Sequence, residues 1–155
     1  MKCFNCIVAV VIIFFLTSCN TIDVYEKTTP VPHHEWSSRN RLNFTFNATD
    51  SLAYYNVYLV LRHTESYHFN NIWIDFSSAF TGQKPQIQRL NVTLADANGW
   101  LGAAMDDIIE QRILLFKNPT RLPAGTYTFS LQQVMREDPL ENVLNAGVRV
   151  EKVVR

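Results

Sequence analysis

The amino-acid sequence predicts an all-β fold, an antiparallel β-sandwich of the jelly-roll or immunoglobulin-like type with at most one short helix. Two observations carry this prediction: apolar residues alternate with polar ones along several short segments, and turn-forming residues separate those segments. The composition agrees, because 47% hydrophobic and 18% charged residues are typical of a globular domain. A chain of 155 residues is long enough for about one such domain.

Several segments show the alternation expected of strands, namely residues 42–46, 53–61, 72–76, 90–94, 127–131 and 148–150. Residues 53–61 are aromatic or β-branched on both faces, so we expect that strand at the centre of a sheet. Between two sheets we expect to find the side chains of Phe44, Val57, Leu59, Ile74, Val92, Leu94, Phe129 and Val148.

Turn signals lie between these strands, at residues 47–50, 81–82, 98–99, 123–125 and 137–139. One stretch departs from the alternation. Residues 103–116 place Met105, Ile108, Ile109 and Arg112 at helical spacing, which predicts one or two helical turns before a strand resumes at Ile113.

The first eighteen residues have the pattern of a lipoprotein signal peptide. A basic start at Lys2 precedes the apolar run at residues 7–16, which is too short to span a membrane. Leu16, Thr17, Ser18 and Cys19 then form a lipobox, in which the Cys19 thiol takes a diacylglycerol thioether. The sequence therefore predicts cleavage after Ser18 and acyl chains, such as palmitate, on Cys19.

These signals divide the chain into a signal peptide (1–18), a lipidated cysteine with an extended tether (19–34) and a single sandwich domain (35–155). The prolines Pro30 and Pro32 favour an extended path for the tether. Cys19 is the only cysteine after the signal, so no disulfide is expected. The 14 basic and 14 acidic residues balance, which excludes a nucleic-acid binder that depends on a basic surface.

No pattern predicts a catalytic residue, a cofactor or a metal centre. The histidines (His33, His34, His63 and His68) match no zinc-site spacing, and we expect solvated rings in loops. Asp106, Asp107 and Glu110 could serve acid–base or calcium chemistry, but a solvated first turn of a helix is the simpler interpretation. A hydrolase without a local motif stays open as a third reading.

Aromatic and hydroxyl residues supply the remaining candidates. Trp36, Trp73 and Trp100 could contact a partner or form a carbohydrate platform, although packing in or around the core is the simpler alternative. Trp100 stands between Gly99 and Gly102, on a loop that either plugs the end of the sandwich or anchors a partner. Ser51 lies in an Asp-Ser-Leu triplet of the kind that is O-glycosylated in Bacteroidota.

Long segments of the chain resemble the gliding-motility lipoprotein GldH family of Bacteroidota, over about residues 19–153. The segments are IDVYEK, NVYLVLRHTESYHFNNIWIDF, LNVTLADANGWLG, MDDIIEQRI and AGTYTFSLQQVMREDPLENVLNAGVRVE. The resemblance implies a small lipoprotein that is needed for gliding and is associated with the type IX secretion machinery. It implies no catalytic residue.

The sequence thus leads us to expect a non-enzymatic structural or interaction subunit, held at a membrane by acyl chains and bound to other gliding or secretion proteins. The residues after Cys19 are not the acidic run associated with surface export, so we expect a periplasm-facing protein at the outer rather than the inner membrane. No nucleic acid and no small-molecule substrate are expected. The alternative is a periplasmic module that binds carbohydrate or peptidoglycan.

Overall fold

Two antiparallel β-sheets pack face to face in the computed structural model of the protein, which describes residues 24–153. A 3-10 turn spans Pro32–His34. The strands are β1 (Val24–Pro30), β2 (Glu35–Trp36), β3 (Leu42–Ala48), β4 (Tyr54–Thr64), β5 (Asn71–Phe80), β6 (Gln86–Thr93), β7 (Ala95–Asp96), β8 (Gly99–Trp100), β9 (Ala103–Met105), β10 (Ile108–Leu114), β11 (Thr120–Arg121), β12 (Gly125–Gln133), β13 (Leu140–Glu141) and β14 (Val143–Val153).

The larger sheet has the order β1-β14-β4-β10-β9, with β11 also paired to β4, and the smaller sheet has the order β3-β12-β5-β6. Two short ladders, β2 with β13 and β7 with β8, complete the pairing. β4 lies between β14 and β10, in the central position that the sequence predicts. The predicted antiparallel sandwich is therefore confirmed.

The core lies where the alternation places it. None of the eight residues predicted to be buried exposes more than 6% of its surface. Phe129 stands at the middle of the aromatic packing, with ring centroids 5.6 Å from Phe76 and 6.2 Å from Phe46. Truncating one of these side chains to alanine is expected to cost about 2–5 kcal/mol.

Part of the segment predicted as a tether (19–34) belongs to the sandwich. Residues 24–30 form β1, which pairs with β14 along its whole length. Gly147 permits this close approach, because a Cβ atom there would lie 2.6 Å from the Cα of Thr28. Glu26 fixes β1 to the larger sheet by accepting hydrogen bonds from Arg112 of β10 at 2.9 Å and from Arg149 of β14 at 3.0 Å. The sequence interpretation missed this strand because its partner lies more than a hundred residues later.

The predicted helical turns at residues 103–116 are wrong, since β9 and β10 form a hairpin there. Asp106 turns the chain with a φ of 53°. The segment fits both periods, because Ile109 and Ile113 also lie on one face of a strand, on either side of the buried Gln111. Seven residues of β10 pair with β4, and this tertiary pairing selects the strand.

Candidate functional site

The most informative part of the molecule is the space between β6 of the smaller sheet and β10 with its following loop in the larger one. At one end of this space the side chains of His63, Tyr67, Trp100 and Gln111 and the backbone of Leu94 pack together, and we call this the closed end. At the other end Gln86 and Gln88 border a cavity, which we call the open end. The two ends offer different chemistry.

Hydrogen bonds link the two sheets at the closed end. The Gln111 amide nitrogen lies 3.0 Å from the Leu94 carbonyl oxygen, to which it donates, and 3.1 Å from His63 Nε2. His63 Nδ1 lies 2.8 Å from the Thr64 carbonyl oxygen. A neutral ring with its proton on Nδ1 satisfies both contacts, because Nδ1 then donates to Thr64 and Nε2 accepts from Gln111.

Burial keeps this imidazole neutral. His63 is fully buried, and its burial lowers the pKa of the ring, although the hydrogen bond to Thr64 acts in the opposite direction. Burial likewise raises the pKa of the neighbouring Tyr67 phenol, with a smaller contribution from Glu137, and that phenol donates to the Asn71 carbonyl oxygen at 3.1 Å. Both titratable groups are therefore held uncharged inside the protein.

Trp100 covers the closed end from the β7–β8 hairpin. Its ring centroid lies 4.6 Å from that of His63 and 6.2 Å from that of Tyr67. Ala97 and Asn98 form the loop of this hairpin, and Gly99 directly after them has a φ of 115°, so the turn lies at the Asn98-Gly99 signal that predicts it. Of the two alternatives for this loop, the structure places the indole as a plug on the sandwich.

The open end contains an apolar cavity of about 430 Å³ between the two sheets. Its floor is made by core side chains of both sheets. Its mouth is bordered by amide and hydroxyl groups and by Ile87, which is 60% exposed. The lining residues are Val57, Phe76, Ser78, Gln86, Ile87, Gln88, Phe116, Thr120, Leu122 and Phe129. Such a site can hold an apolar group in its interior, while the polar atoms next to that group stay at the rim.

A second groove, of about 480 Å³, lies on the outer face of the smaller sheet. Trp73 is 40% exposed there, and its backbone N–H lies 3.1 Å from the sulfur of Met135. Two guanidinium groups, those of Arg89 and Arg136, line the same groove. Arg89 also forms a bidentate ion pair with Asp75, in which its Nε and Nη2 donate to the two carboxylate oxygens at 2.7 and 2.9 Å.

β6 runs between this groove and the cavity, and it is an edge of the smaller sheet. Its register with β5 is continuous from Gln86 to Thr93, without a bulge. Neither lysine nor proline, which commonly protect edges, occurs within it. The strand therefore presents an unprotected backbone to a partner.

Comparison with known proteins identifies the family. The profile of a family described as GldH lipoprotein matches residues 23–150. The chain belongs to the GldH lipoprotein family. The resemblance noted in the sequence is thereby confirmed.

Two curated relatives match nearly the whole chain. The gliding motility lipoprotein GldH homolog of Christiangramia forsetii is 26% identical over 157 residues, covering 96% of this chain and 96% of its own. The gliding motility lipoprotein GldH of Flavobacterium johnsoniae is 28% identical over 149 residues, covering 88% and 89%.

Among solved structures, the infectious bursal disease virus VP2 subviral particle aligns with 87% of this chain and 34% of its own. The sequence identity is 14% and the TM-score is 0.36. This chain thus spans about a third of that protein, and so low a score assigns no shared topology.

The structure does not bring the three tryptophans of this GldH-family chain together. Trp36 is fully buried and donates its indole N–H to the Asn40 carbonyl oxygen at 2.9 Å. Trp100 covers the closed end, and Trp73 alone of the three exposes 40% of its surface. The alternative of a carbohydrate platform needs at least two exposed and roughly coplanar rings, and the structure does not provide them.

The predicted solvated histidines are partly wrong as well. His33 and His34 are exposed in the 3-10 turn, and His68 is exposed beside Glu137, at 2.8 Å, where hydrogen bonding to that carboxylate raises the pKa of the ring. His63 is instead a core residue of β4. Its spacing from Val57, Leu59 and Leu61 repeats the same period of two, which was the available signal. Within residues 24–153, no group of three or more His, Cys, Asp or Glu could hold a metal ion.

The candidate carboxylates also lie in a strand hairpin rather than a helix. Asp106 and Asp107 form its turn, and Glu110 pairs with Arg62 and Arg112 on the outer face of the larger sheet. Ser51 is exposed in the β3–β4 connection, and its Oγ accepts a hydrogen bond from the Ala124 N–H at 2.9 Å. Its O-glycosylation stays a prediction.

The predicted signal peptide (1–18) and the lipidation site Cys19 lie outside the described residues. Across residues 24–153, no helix is long and apolar enough to cross a membrane. Membrane attachment of this GldH-family protein is implied by its lipoprotein family.

Proposed function

We propose that this chain is a non-enzymatic subunit of the gliding-motility machinery that works by binding other proteins, in association with type IX secretion. The two curated relatives are both named as gliding motility lipoproteins or their homologs. The observation that carries the binding role is the unprotected edge of β6 beside an aromatic-floored cavity. Edges of this kind pair readily with other chains.

The proposed position of the sandwich is close to a membrane surface, facing the periplasm at the outer membrane. Since β1 begins at Val24, five backbone steps separate it from Cys19. Even a fully extended segment of that length spans at most about 18 Å. Acyl chains on Cys19 would therefore keep any partner of the sandwich near the lipid surface.

The chemistry of the cavities favours binding over catalysis. The buried imidazole of His63 is sealed under Trp100, so it supports structure. The cavity and the outer groove are lined by aromatic, amide and arginine side chains. These groups recognise polypeptide surfaces, for which aromatic and arginine anchors are typical.

Binding of carbohydrate or peptidoglycan is the weaker reading. It depended on a platform of tryptophans, and Trp36 and Trp100 are packed into the protein. No nucleic acid and no small-molecule substrate form part of the proposal.

Deletion of the gene in the source bacterium tests the proposed function. We expect loss of colony spreading and of single-cell gliding, both restored by the full-length gene. Cys19→Ala should lose labelling by an alkyne fatty acid, leave the membrane fraction and fail to restore spreading. A deletion strain that glides normally would overturn the motility role. Normal fatty-acid labelling of Cys19→Ala would overturn the lipid anchor.

The link to secretion is tested in the same strains. If the subunit is associated with type IX secretion, the deletion should lower the amount of type IX cargo in the culture medium, and Cys19→Ala should not restore it. Normal export together with lost gliding would restrict the role to motility.

A further inference from the structure

The free side of β6 offers hydrogen-bonding groups at every second residue. The Leu94 N–H donates to the Asn70 carbonyl oxygen at 2.8 Å, which sets the phase of the β5–β6 ladder. In an antiparallel pair the hydrogen-bonded positions alternate. The backbone N–H and C=O groups that turn away from β5 are therefore those of Ile87, Arg89, Asn91 and Thr93.

The other long edges are better protected. β1 carries Lys27, ends at Pro30 and is fixed by the ion pairs of Glu26. β3 shows strict alternation in which every apolar side chain is buried. β6 instead exposes 60% of Ile87 beside the cavity. The exposed apolar side chain and the adjacent cavity distinguish β6 from both β1 and β3.

The two faces of β6 differ in what they would recognise. On the inner face, the cavity of about 430 Å³ reaches Phe76, Phe116 and Phe129 and suits one large apolar side chain. On the outer face, the groove contains Arg89 and Arg136 and no carboxylate among its lining residues. Asp75 neutralises Arg89, so the groove keeps the charge of one guanidinium and favours an acidic side chain.

We propose that β6 binds an extended segment of another protein, which adds a strand to the smaller sheet, inserts one large apolar side chain into the inter-sheet cavity and directs one carboxylate toward Arg136. Because side chains alternate between the faces of a strand, the apolar and acidic residues of that segment are an odd number of positions apart. This inference rests on the proposed function and names the class of partner.

Cysteine cross-linking in living cells tests the inference, and the chain suits it because Cys19 is the only native cysteine after the signal. Full-length Ile87→Cys, Asn91→Cys and Thr93→Cys are expressed in the deletion strain and labelled with a maleimide benzophenone. After irradiation, mass spectrometry identifies the cross-linked peptides. We expect the cysteines at all three positions to cross-link to one segment of one other protein. The cross-linked sites on that segment should be two residues apart for each two-residue step along β6, and we call this pattern the cross-link ladder.

Matched controls come from the other edge of the same sheet. Asn43, Thr45 and Asn47 on β3 are also exposed, and their substitution by cysteine should give no such ladder. Gln88→Lys, combined with Asn91→Cys, should lower the yield of the ladder at least tenfold, because Gln88 pairs with Phe76 on the inner face of the sheet and a charge there would face the cavity. Unchanged thermal unfolding of Gln88→Lys shows that the loss is not a loss of fold. For Met105→Lys, a matched change on the edge of the other sheet, the ladder should persist.

The outcomes separate this inference from the proposed function. Cross-links to a second copy of this chain, to segments spaced at three or four residues, to scattered sites or to none would each overturn the strand-addition inference. If the deletion abolishes gliding while Gln88→Lys glides normally, the edge is not the binding site and the motility role stands. If the deletion strain glides normally but the ladder forms, the motility role fails and the edge inference stands.

Discussion

A glutamine lies at each end of the space between β6 and β10, but the two side chains differ in burial and in hydrogen bonding. Gln111 is buried and bridges the sheets through the Leu94 carbonyl oxygen and the His63 ring. Gln88 is exposed at the mouth of a cavity. A hairpin carrying Trp100 covers the first end, whereas no strand within residues 24–153 covers the second. One end is completed by the chain itself, and the other leaves apolar surface for a partner.

This difference separates stability from function along a single strand. Changes at the closed end should alter the free energy of unfolding, because they remove buried contacts and hydrogen bonds. Changes at the open end should leave folding nearly unchanged and alter binding. The predictions below test this separation with paired substitutions at the two ends, measured by urea unfolding of the purified full-length lipoprotein in detergent.

The largest difference is expected between two tryptophans. Trp100→Ala removes the indole that packs on His63 and Tyr67, and it should lower the free energy of unfolding by about 3 kcal/mol. Trp73→Ala deletes the same ring from the outer groove, where it is 40% exposed, and should change stability by no more than about 1 kcal/mol. Equal losses for both variants would contradict the assignment of Trp100 as a plug.

The two glutamines provide a matched substitution to leucine. Gln111→Leu leaves His63 Nε2 buried without its donor, and we expect a loss of about 1–2 kcal/mol. The loss is moderate because the Gln111 side-chain oxygen is itself buried without a hydrogen-bond partner, and the substitution removes it. Gln88→Leu should stay within about 0.5 kcal/mol of the wild type. A destabilised Gln88→Leu would mean that the open end is closed by its own side chains in solution.

Some of this arrangement could be predicted from the sequence. Alternation identified the core strands, and the Asn98-Gly99 pair identified the hairpin that places Trp100. The burial of His63 was not predicted, since its ring was expected in solvent, although its spacing to Leu59 and Leu61 indicates the core face of β4. These features depend on patterns among residues that are close in the chain, and such patterns can be recognised in the sequence alone.

The remaining features depend on contacts between distant residues. β1 is a strand because Gly147 lets it approach β14, and no pattern near residue 24 indicates that partner. The hairpin at β9 and β10 fits helical and strand periods equally, and pairing with β4 decides between them. The open end arises because β6 has no outer neighbour, which only the sheet order shows.

The next largest effect is a pH dependence that originates at the closed end. Burial lowers the pKa of His63, so the folded state requires a neutral ring, whereas the unfolded chain binds a proton below about 6.5. Stability should therefore be greatest above that pH and fall as the pH decreases toward 5, by at most about 1.4 kcal/mol per pH unit.

Two histidine variants check the source of this slope. His63→Gln should flatten the pH dependence between pH 5 and 7, whatever its effect on stability at neutral pH. His68→Gln should keep the slope or steepen it, because Glu137 raises the pKa of His68 and its contribution has the opposite sign. A slope that persists in His63→Gln would place the responsible group elsewhere.

The smallest effect on stability is expected at Ile87. With 60% of this residue exposed, Ile87→Ser should change the free energy of unfolding by no more than about 0.5 kcal/mol. Ile113→Ser on β10 removes a half-buried side chain that packs against the core, and it should cost more than about 1 kcal/mol. Ile87 shares the outer face of the smaller sheet with Arg89 and Asn91, away from the core residues of the same strand. If Ile87→Ser were as destabilising as Ile113→Ser, the chain itself would bury Ile87 in solution. The edge of β6 would then be covered in the free protein, and a partner would first have to displace that cover before a strand could be added.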